Sequence, residues 1–380
     1  MPHTAQPRLT NVTGVRDGPP QPYRAGAPHS TNNAAERLIA ALVPIMKASP
    51  RILLVSPFFH HYWRSIEAGF RALGFEIATH AYDHRPGIPD KLAHKVVHEL
   101  PLKLGVRRGS ISSAVTARTV GAIRHVKPDV TIVVRGDQLG EEIFDELDRL
   151  GSKKIIWLWD EVRRTNHSDR LLAHYDHLIS YSPADAARFI AAGRPCLHLP
   201  NAFDPAMSPA PRHTNEIVFI GARYPRREQL LIHLARSDVQ VRAYGRDWSR
   251  HPVDLARTWQ TRRPAVPSAR DIDRMEGYAL TAGAPAAINI HDDQDGFTMK
   301  TFEVPGVGGV QLIDRDDVSE YYDPGTEVAV FHSADELVEL CERAICDDRW
   351  GDAMRAAGRK RTLAEHTWAH RAAKVAELWA

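Results

Sequence analysis

The sequence predicts an α/β protein made of two successive parallel-sheet units. Three observations carry that reading. Short continuous apolar runs such as Ile52-Leu53-Leu54-Val55 and Val130-Thr131-Ile132-Val133-Val134 recur without polar alternation, as in strands buried on both faces. Segments of helical spacing separate them, the order expected of βαβ units. A proline-rich stretch from Pro200 to Pro211 divides the 380 residues into two such series, each long enough for a domain.

Taken in order, residues 1–32 are rich in Pro, Gly, Thr and Asn and lack apolar periodicity, so a disordered leader is expected. Leu38, Leu42 and Ile45 give residues 34–48 helical spacing. The first unit, residues 33–200, has expected strands at 52–55, 75–78, 129–134, 154–159 and 177–180. Helices are expected after the first strand to Leu73, over 91–125 with a loop near 105–110, and at 139–150 and 167–175. Ser182 before Pro183 reads as the N-cap of a helix to Ala192. Residues 201–212 are the expected linker. The second unit, 213–362, has expected strands at 216–221, 239–244, 286–290, 309–313 and 327–331. Ser333-x-x-Glu336 matches a capping box opening a helix to Cys346. From Trp350 the chain reads as helical with a break near Gly358, and residues 363–380 form the closing helix.

Composition is that of an ordinary globular protein, with 43% hydrophobic and 25% charged residues. A net charge of +2 gives no argument for a nucleic-acid or membrane partner. Cys196, Cys341 and Cys346 have neither metal-ligand nor disulfide spacing. With no signal-peptide pattern and no spanning apolar run, the cytoplasm is the expected compartment. There is no Walker loop, no G-x-G-x-x-G after a strand and no nucleophile elbow, so kinase, nicotinamide-enzyme and serine-hydrolase readings lack their basic parts.

The stretch Asp295–Asp314 organises the second unit: a polar segment, a helical turn carrying Glu303, the Gly308-Gly309 break, then an apolar strand. A carboxylate there suits a ribose diol, and paired glycines permit a tight turn. Gly221-Ala222-Arg223-Tyr224-Pro225-Arg226-Arg227 follows a strand and opens a helix. Cations oppose the dipole at that end, so a diphosphate-binding role competes with a solvated basic helix start, Arg223 and Arg227 being the favoured contacts. Tyr244-Gly245-x-x-Trp248 either borders a nucleobase or packs in the core. Asp292, Asp293 and Asp295 raise a metal site that we do not expect. His60-His61-Tyr62-Trp63 follows the first strand, where a histidine such as His61 suits a base or hydroxyl-orienting role, against a simple aromatic-rich packed loop. Asp137 and Asp160-Glu161 lie at similar strand ends.

Lys300-Thr301-Phe302-Glu303-Val304-Pro305 with Gly308-Gly309 resembles the core motif of CgeB-like glycosyltransferases. So do Gly221-x-x-Tyr224-x-x-Arg227, Tyr244-Gly245-x-x-Trp248, Asn289-Ile290-His291 and the tail from Gly358 to Arg371. The resemblance covers Glu216 to Leu378 well and the first half loosely. It implies a GT-B fold, two Rossmann-like domains facing a cleft with the last helix crossing back to the first domain. It also implies transfer from a nucleotide-sugar donor to a glycan, protein or small-molecule acceptor, with no metal or other cofactor. Gly221, Arg223, Arg227, Tyr244, His291, Lys300, Thr301, Glu303, Gly308 and Gly309 would then bind the donor. Asp295 stands eight residues before Glu303, where retaining relatives carry a glutamate, and becomes with His61 a catalytic candidate. Lys300 replaces the usual arginine, keeping the charge without the planar fork. A nucleotide-sugar epimerase on the same fold and a non-catalytic nucleotide-sugar-binding protein are the alternatives.

Overall fold

The computed structural model describes residues 50–83, 113–260 and 262–379. The leader expected over 1–32, the helix over 34–48 and the expected segment 91–112 lie outside the described residues.

Two six-stranded parallel sheets form the molecule. The first contains β1 (Ile52–Ser56), β2 (Ile77–Ala81), β3 (Val130–Val134), β4 (Lys153–Leu158), β5 (His177–Ser180) and β6 (Cys196–His198) in the spatial order 2-1-3-4-5-6. Its helices are α1 (Tyr62–Ala72), α2 (Ser113–Val126), α3 (Glu142–Leu150), α4 (Asp169–Leu172) and α5 (Pro183–Ala191). The apolar strands are buried throughout because helices cover both faces: Leu54 and Ile132 pack on one side, Val55 and Val133 on the other. As the sequence predicts, Ser182 caps α5, its hydroxyl accepting from the Asp185 amide at 3.0 Å.

The second sheet holds β7 (Ile217–Ile220), β8 (Val241–Tyr244), β9 (Ser268–Ala269), β10 (Ala287–Asn289), β11 (Gln311–Ile313) and β12 (Ala329–Val330) in the order 12-11-10-7-8-9. Around it lie α6 (Pro225–Arg236), α7 (Pro252–Thr258), α8 (Arg274–Gly283), α9 (Lys300–Gly306), α10 (Ala334–Cys346) and α11 (Asp348–Glu365). The order reverses between β7 and β10, and between β1 and β3 in the first sheet. Ligand crevices open beyond the carboxyl ends of strands at such switch points.

Two local expectations are corrected. Helix α11 runs unbroken through Gly358. A Cβ there would stand 2.6 Å from the Glu327 carbonyl, so this glycine serves close packing rather than termination. The break falls instead at His366–Thr367, where Thr367 caps the last helix, α12 (Trp368–Ala376). The expected linker also begins inside the structure: Asn201, Ala202 and Phe203 are buried, and Phe203 exchanges backbone hydrogen bonds with His366 and Trp368.

Helix α12 does cross to the first domain. Trp368 packs edge-on against Trp157 and beside Trp159, and Arg371 donates to the carbonyls of Pro200 and Asn201. No helix among the described residues is long and apolar enough to cross a membrane.

Candidate active site

The sheets' carboxyl ends face each other across a cleft of about 750 Å³. The loops after β7 and β10 and the start of α9 form one wall; the loops after β1 to β4 form the other. Of the residues expected from sequence, Gly221, Arg227, Lys300 and Glu303 line this cleft.

Arg227 is 8% exposed. Its Nε donates to the Ile290 carbonyl at 2.9 Å and Nη1 to that of Ala222 at 3.2 Å, so carbonyls hold the guanidinium without neutralising it. Burial is the main cause lowering its pKa. Lys300 has neither ion pair nor hydrogen bond among the described residues. Burial pulls its pKa down to about 8, against the attraction of Glu303 and with the repulsion of Arg227. Two cations without carboxylate partners, Arg227 buried and Lys300 half-buried, therefore share one cavity. Leaving them so costs free energy that an incoming anion recovers.

Glu303, 6% exposed, faces the same cavity. One of its oxygens, Oε1, accepts from Tyr62 of the first domain at 2.7 Å and from Tyr278, and lies 3.6 Å from Arg274 Nε. Arg274 stacks over the Tyr62 ring at 4.1 Å and donates to Ser65 Oγ at 3.0 Å, while its buried Nη2 finds no partner. Burial, then the Glu303 charge, raises both tyrosines well above their usual pKa, so both are hydroxyl donors. Sequence reasoning did not single out Tyr62, Arg274 or Tyr278 as site residues. The i,i+4 pair Arg274/Tyr278 behind the capping residue Asp273 was the available signal.

The remaining expected residues lie elsewhere. Arg223 turns away, its guanidinium on Gln260 Oε1 and the Arg262 carbonyl, with Glu228 at 3.7 Å. Arg223 lies in the loop before α6, whereas Arg227, in the helix's first turn, enters the cleft. Tyr244 is packed with Val218 and Val304 in the core, and it is the next residue, Gly245, that reaches the cavity. His291 and Thr301 are buried behind the wall. The Thr298 amide donates to His291 Nε2 at 3.3 Å, leaving Nδ1–H for Asp314, also at 3.3 Å. Burial lowers the His291 pKa despite that carboxylate, so the ring is neutral. Thr301 Oγ1 accepts from Asn289 Nδ2 at 3.1 Å. Together they position α9. Gly308, at φ +82°, ends that helix, and Gly309 abuts Thr281 and the Val304 carbonyl, away from the cavity.

Asp295 joins the two domains. Its Oδ2 accepts from Ser182 Oγ at 2.6 Å and the Ala184 amide at 3.0 Å, completing the α5 cap from across the interface. Burial would raise its pKa, but these bonds outweigh it and hold the group below the usual carboxylate range. Asp293 pairs with Arg163 at 2.8 Å and with Arg164. Asp293 and Asp295 thus face partners in the first domain. His61 lies against the Phe58 ring, centroids 4.4 Å apart, while His60 lines the cleft. Both have left-handed backbones, φ 45° and 57°, a cost that consecutive non-glycine residues rarely carry outside functional loops.

Residues 226–377 match the glycosyl transferase-like family model. No curated protein matches the chain. Sucrose-phosphate synthase from Thermosynechococcus elongatus is similar in structure, with TM-score 0.55 at 14% identity over 87% of this chain and 98% of its own. Anabaena Alr3699/HepE in complex with UDP-glucose gives 0.56 at 13% identity, covering 86% and 99%. A putative UDP-N-acetylglucosamine 2-epimerase from Listeria monocytogenes gives 0.50 at 11%, covering 86% and 94%. The fold is GT-B. At these identities the structural likeness speaks to fold alone.

Proposed function

We propose that the chain is a glycosyltransferase, moving a hexosyl or related residue from a nucleoside-diphosphate sugar to an acceptor nucleophile held by the first domain. The observation that carries this reading is the pair Lys300 and Arg227, half-buried and buried, without carboxylate partners on one wall of the cleft. A diphosphate leaving group develops negative charge as the glycosidic bond breaks, and preorganised cations in a dry site stabilise it at no reorganisation cost. Glu303 would take the ribose hydroxyls, with the Gly221 loop beside it. The family match over 226–377 includes Arg227, Lys300 and Glu303.

The reading uses the nucleotide sugar as substrate and assigns no metal or further cofactor. Arg223 is withdrawn from the donor contacts, and His60 rather than His61 stands on the acceptor side. Retention at the anomeric carbon follows the resemblance in motif spacing, although Asp295 itself is engaged by Ser182 and Ala184. The three free cysteines fit the reducing cytoplasm to which we assign the chain.

The test is thermal stability of the purified protein with UDP, GDP, TDP and ADP, each free and sugar-conjugated, beside Lys300→Ala. Ligand binding to the native state raises stability. A rise with one nucleotide that Lys300→Ala abolishes supports the donor wall; no rise with any, in folded protein, removes it. An isomerised nucleotide sugar formed without acceptor would replace transfer by epimerisation.

A further inference from the structure

Glu303 is held from both sides of the cleft. Tyr62 opens α1 in the first domain, directly after His60 and His61, whose left-handed backbones end the β1 loop. That turn delivers the phenol to the cavity, where Trp159 packs edge-on against its ring at 5.7 Å and Arg274 lies over it. The Tyr62 hydroxyl donates to Glu303 Oε1 at 2.7 Å, and the Tyr278 hydroxyl donates to the same oxygen. A carboxylate oxygen has two acceptor positions, so the two phenols fill those of Oε1. The other oxygen, Oε2, takes no hydrogen bond among the described residues, and it is not sealed from solvent. Glu303 lines the cavity, so Oε2 is the acceptor left for a ligand.

The placing of Arg274 shows what the Tyr62 hydroxyl prevents. Arg274 Nε donates to the Tyr278 hydroxyl at 2.8 Å and Nη1 to Ser65 Oγ at 3.0 Å. The guanidinium is thus spent on hydroxyls and stands 3.6 Å from Glu303 Oε1, short of a direct hydrogen bond. A guanidinium that reached both oxygens would form a bidentate pair and leave the carboxylate little for a ligand. Tyr62 blocks that pairing by taking Oε1. Its ring, with Ser65 three residues further along α1, keeps Arg274 where it is. The matched stretch 226–377 carries Arg274, Tyr278 and Glu303, whereas Tyr62 and Ser65 come from the other domain.

We propose that Tyr62 is a positioning residue for the nucleotide: it holds Oε1 of Glu303 from the first domain and so presents Oε2 to the hydroxyls of the nucleoside sugar. The proposal rests on the glycosyltransferase reading, which puts the ribose on Glu303, and deepens it by making the ribose site a product of both domains. Recognition of the nucleoside by the second domain then depends on the first domain standing against it.

Calorimetric titration of the full chain tests this. The probes are UDP, GDP and ADP, each beside its 2′-deoxy and 3′-deoxy forms, and TDP beside its 3′-deoxy form. For whichever nucleotide binds, loss of at least one sugar hydroxyl should weaken binding about tenfold or more, the value of a hydrogen bond to a charged acceptor. Tyr62→Phe keeps the ring and its contacts and removes only the hydroxyl. It should weaken the complete nucleotide about five- to tenfold and shrink the deoxy penalty to within about twofold, the coupling expected of groups that act on one another. A purely structural hydroxyl would leave that penalty whole. Tyr62→Phe protein that keeps the full penalty would therefore overturn the proposal and leave the donor wall standing. So would parent protein that binds a nucleotide and its deoxy forms equally, because Glu303 would then not hold the sugar. Binding of none of the four nucleotides by folded parent protein would remove the donor reading and this proposal together.

Discussion

The carboxyl ends of the two sheets face each other with the same architecture but leave different groups unpaired. On the second sheet the unpaired groups are cations, Lys300 and Arg227, held by carbonyls or by nothing. On the first sheet, among the described residues that line the cleft, Arg135 is paired with Asp137, and the buried groups without a partner include a phenol and an indole. Parallel strands and helix N-termini are common to both, so the contrast cannot come from the fold. It comes from which side chains end each strand. A cleft built this way is cationic on the wall proposed for the donor, as expected where a diphosphate leaves the donor sugar carrying negative charge and the acceptor takes its place at the anomeric carbon.

The comparison breaks most severely if Lys300 is dispensable. Lys300→Ala should lower kcat/KM for transfer by ~10²–10³-fold, as removal of one charge-stabilising donor does; turnover within threefold of the parent would sink the donor assignment. Next comes Glu303→Ala. It leaves Arg274 buried beside two tyrosines without its counter-charge, and should cost about 3 kcal/mol in urea unfolding. A loss below about 1 kcal/mol would show that Arg274 is compensated otherwise.

A pH series sharpens the same contrast. Lys300 is charged below its pKa of about 8, so nucleotide affinity should hold near neutrality and fall as pH rises through that value. The fall should approach about tenfold per unit. Stability runs the other way. In the unfolded chain the lysine keeps its proton up to about 10.5, so between 8 and 10.5 the folded state binds fewer protons, and this residue's contribution to stability rises with pH. In Lys300→Ala both trends should vanish.

Ser182→Ala removes the α5 cap and its bond to Asp295 together, and should cost about 1 kcal/mol. An unchanged urea midpoint would mean that water replaces both bonds. The smallest effect is expected from Arg223→Ala, whose guanidinium lies on Gln260 and Arg262. KM for the donor should move less than about twofold, the scale of surface substitutions; a tenfold rise would return Arg223 to the site.

Much of the fold was legible because the physics is local. The buried runs of β1 and β3 and the caps at Ser182 and Ser333 each declare themselves within a few residues, although the Glu336 carboxylate accepts from the His332 amide rather than closing the expected box on Ser333. The site was legible where a motif fixed the backbone, as with Lys300 and Glu303. It was illegible where a side chain's partner is distant in sequence. Tyr62 and Glu303 are 241 residues apart, and Ser182 and Asp295 are 113 apart. Arg223 and Arg227 look equivalent in the chain, and only the loop ahead of α6, which places Arg223 on Gln260 and Arg262, separates them. Gly358 reads as a helix breaker until the neighbouring Glu327 carbonyl shows what the missing Cβ makes room for.

Helix α12 has a consequence for synthesis. The core beneath the first sheet includes Trp368, Ala372 and Val375 beside Ile66, Phe70 and Trp157. During translation, the six strands of that sheet leave the ribosome long before the helix that seals them. Until α12 emerges, Trp157 and Phe70 lack part of their cover, so the nascent first domain cannot complete its native packing alone. The second domain, whose sheet is walled by α10 and α11, closes its own core earlier in assembly space. The first domain is therefore completed by residues that follow the whole of the second in sequence.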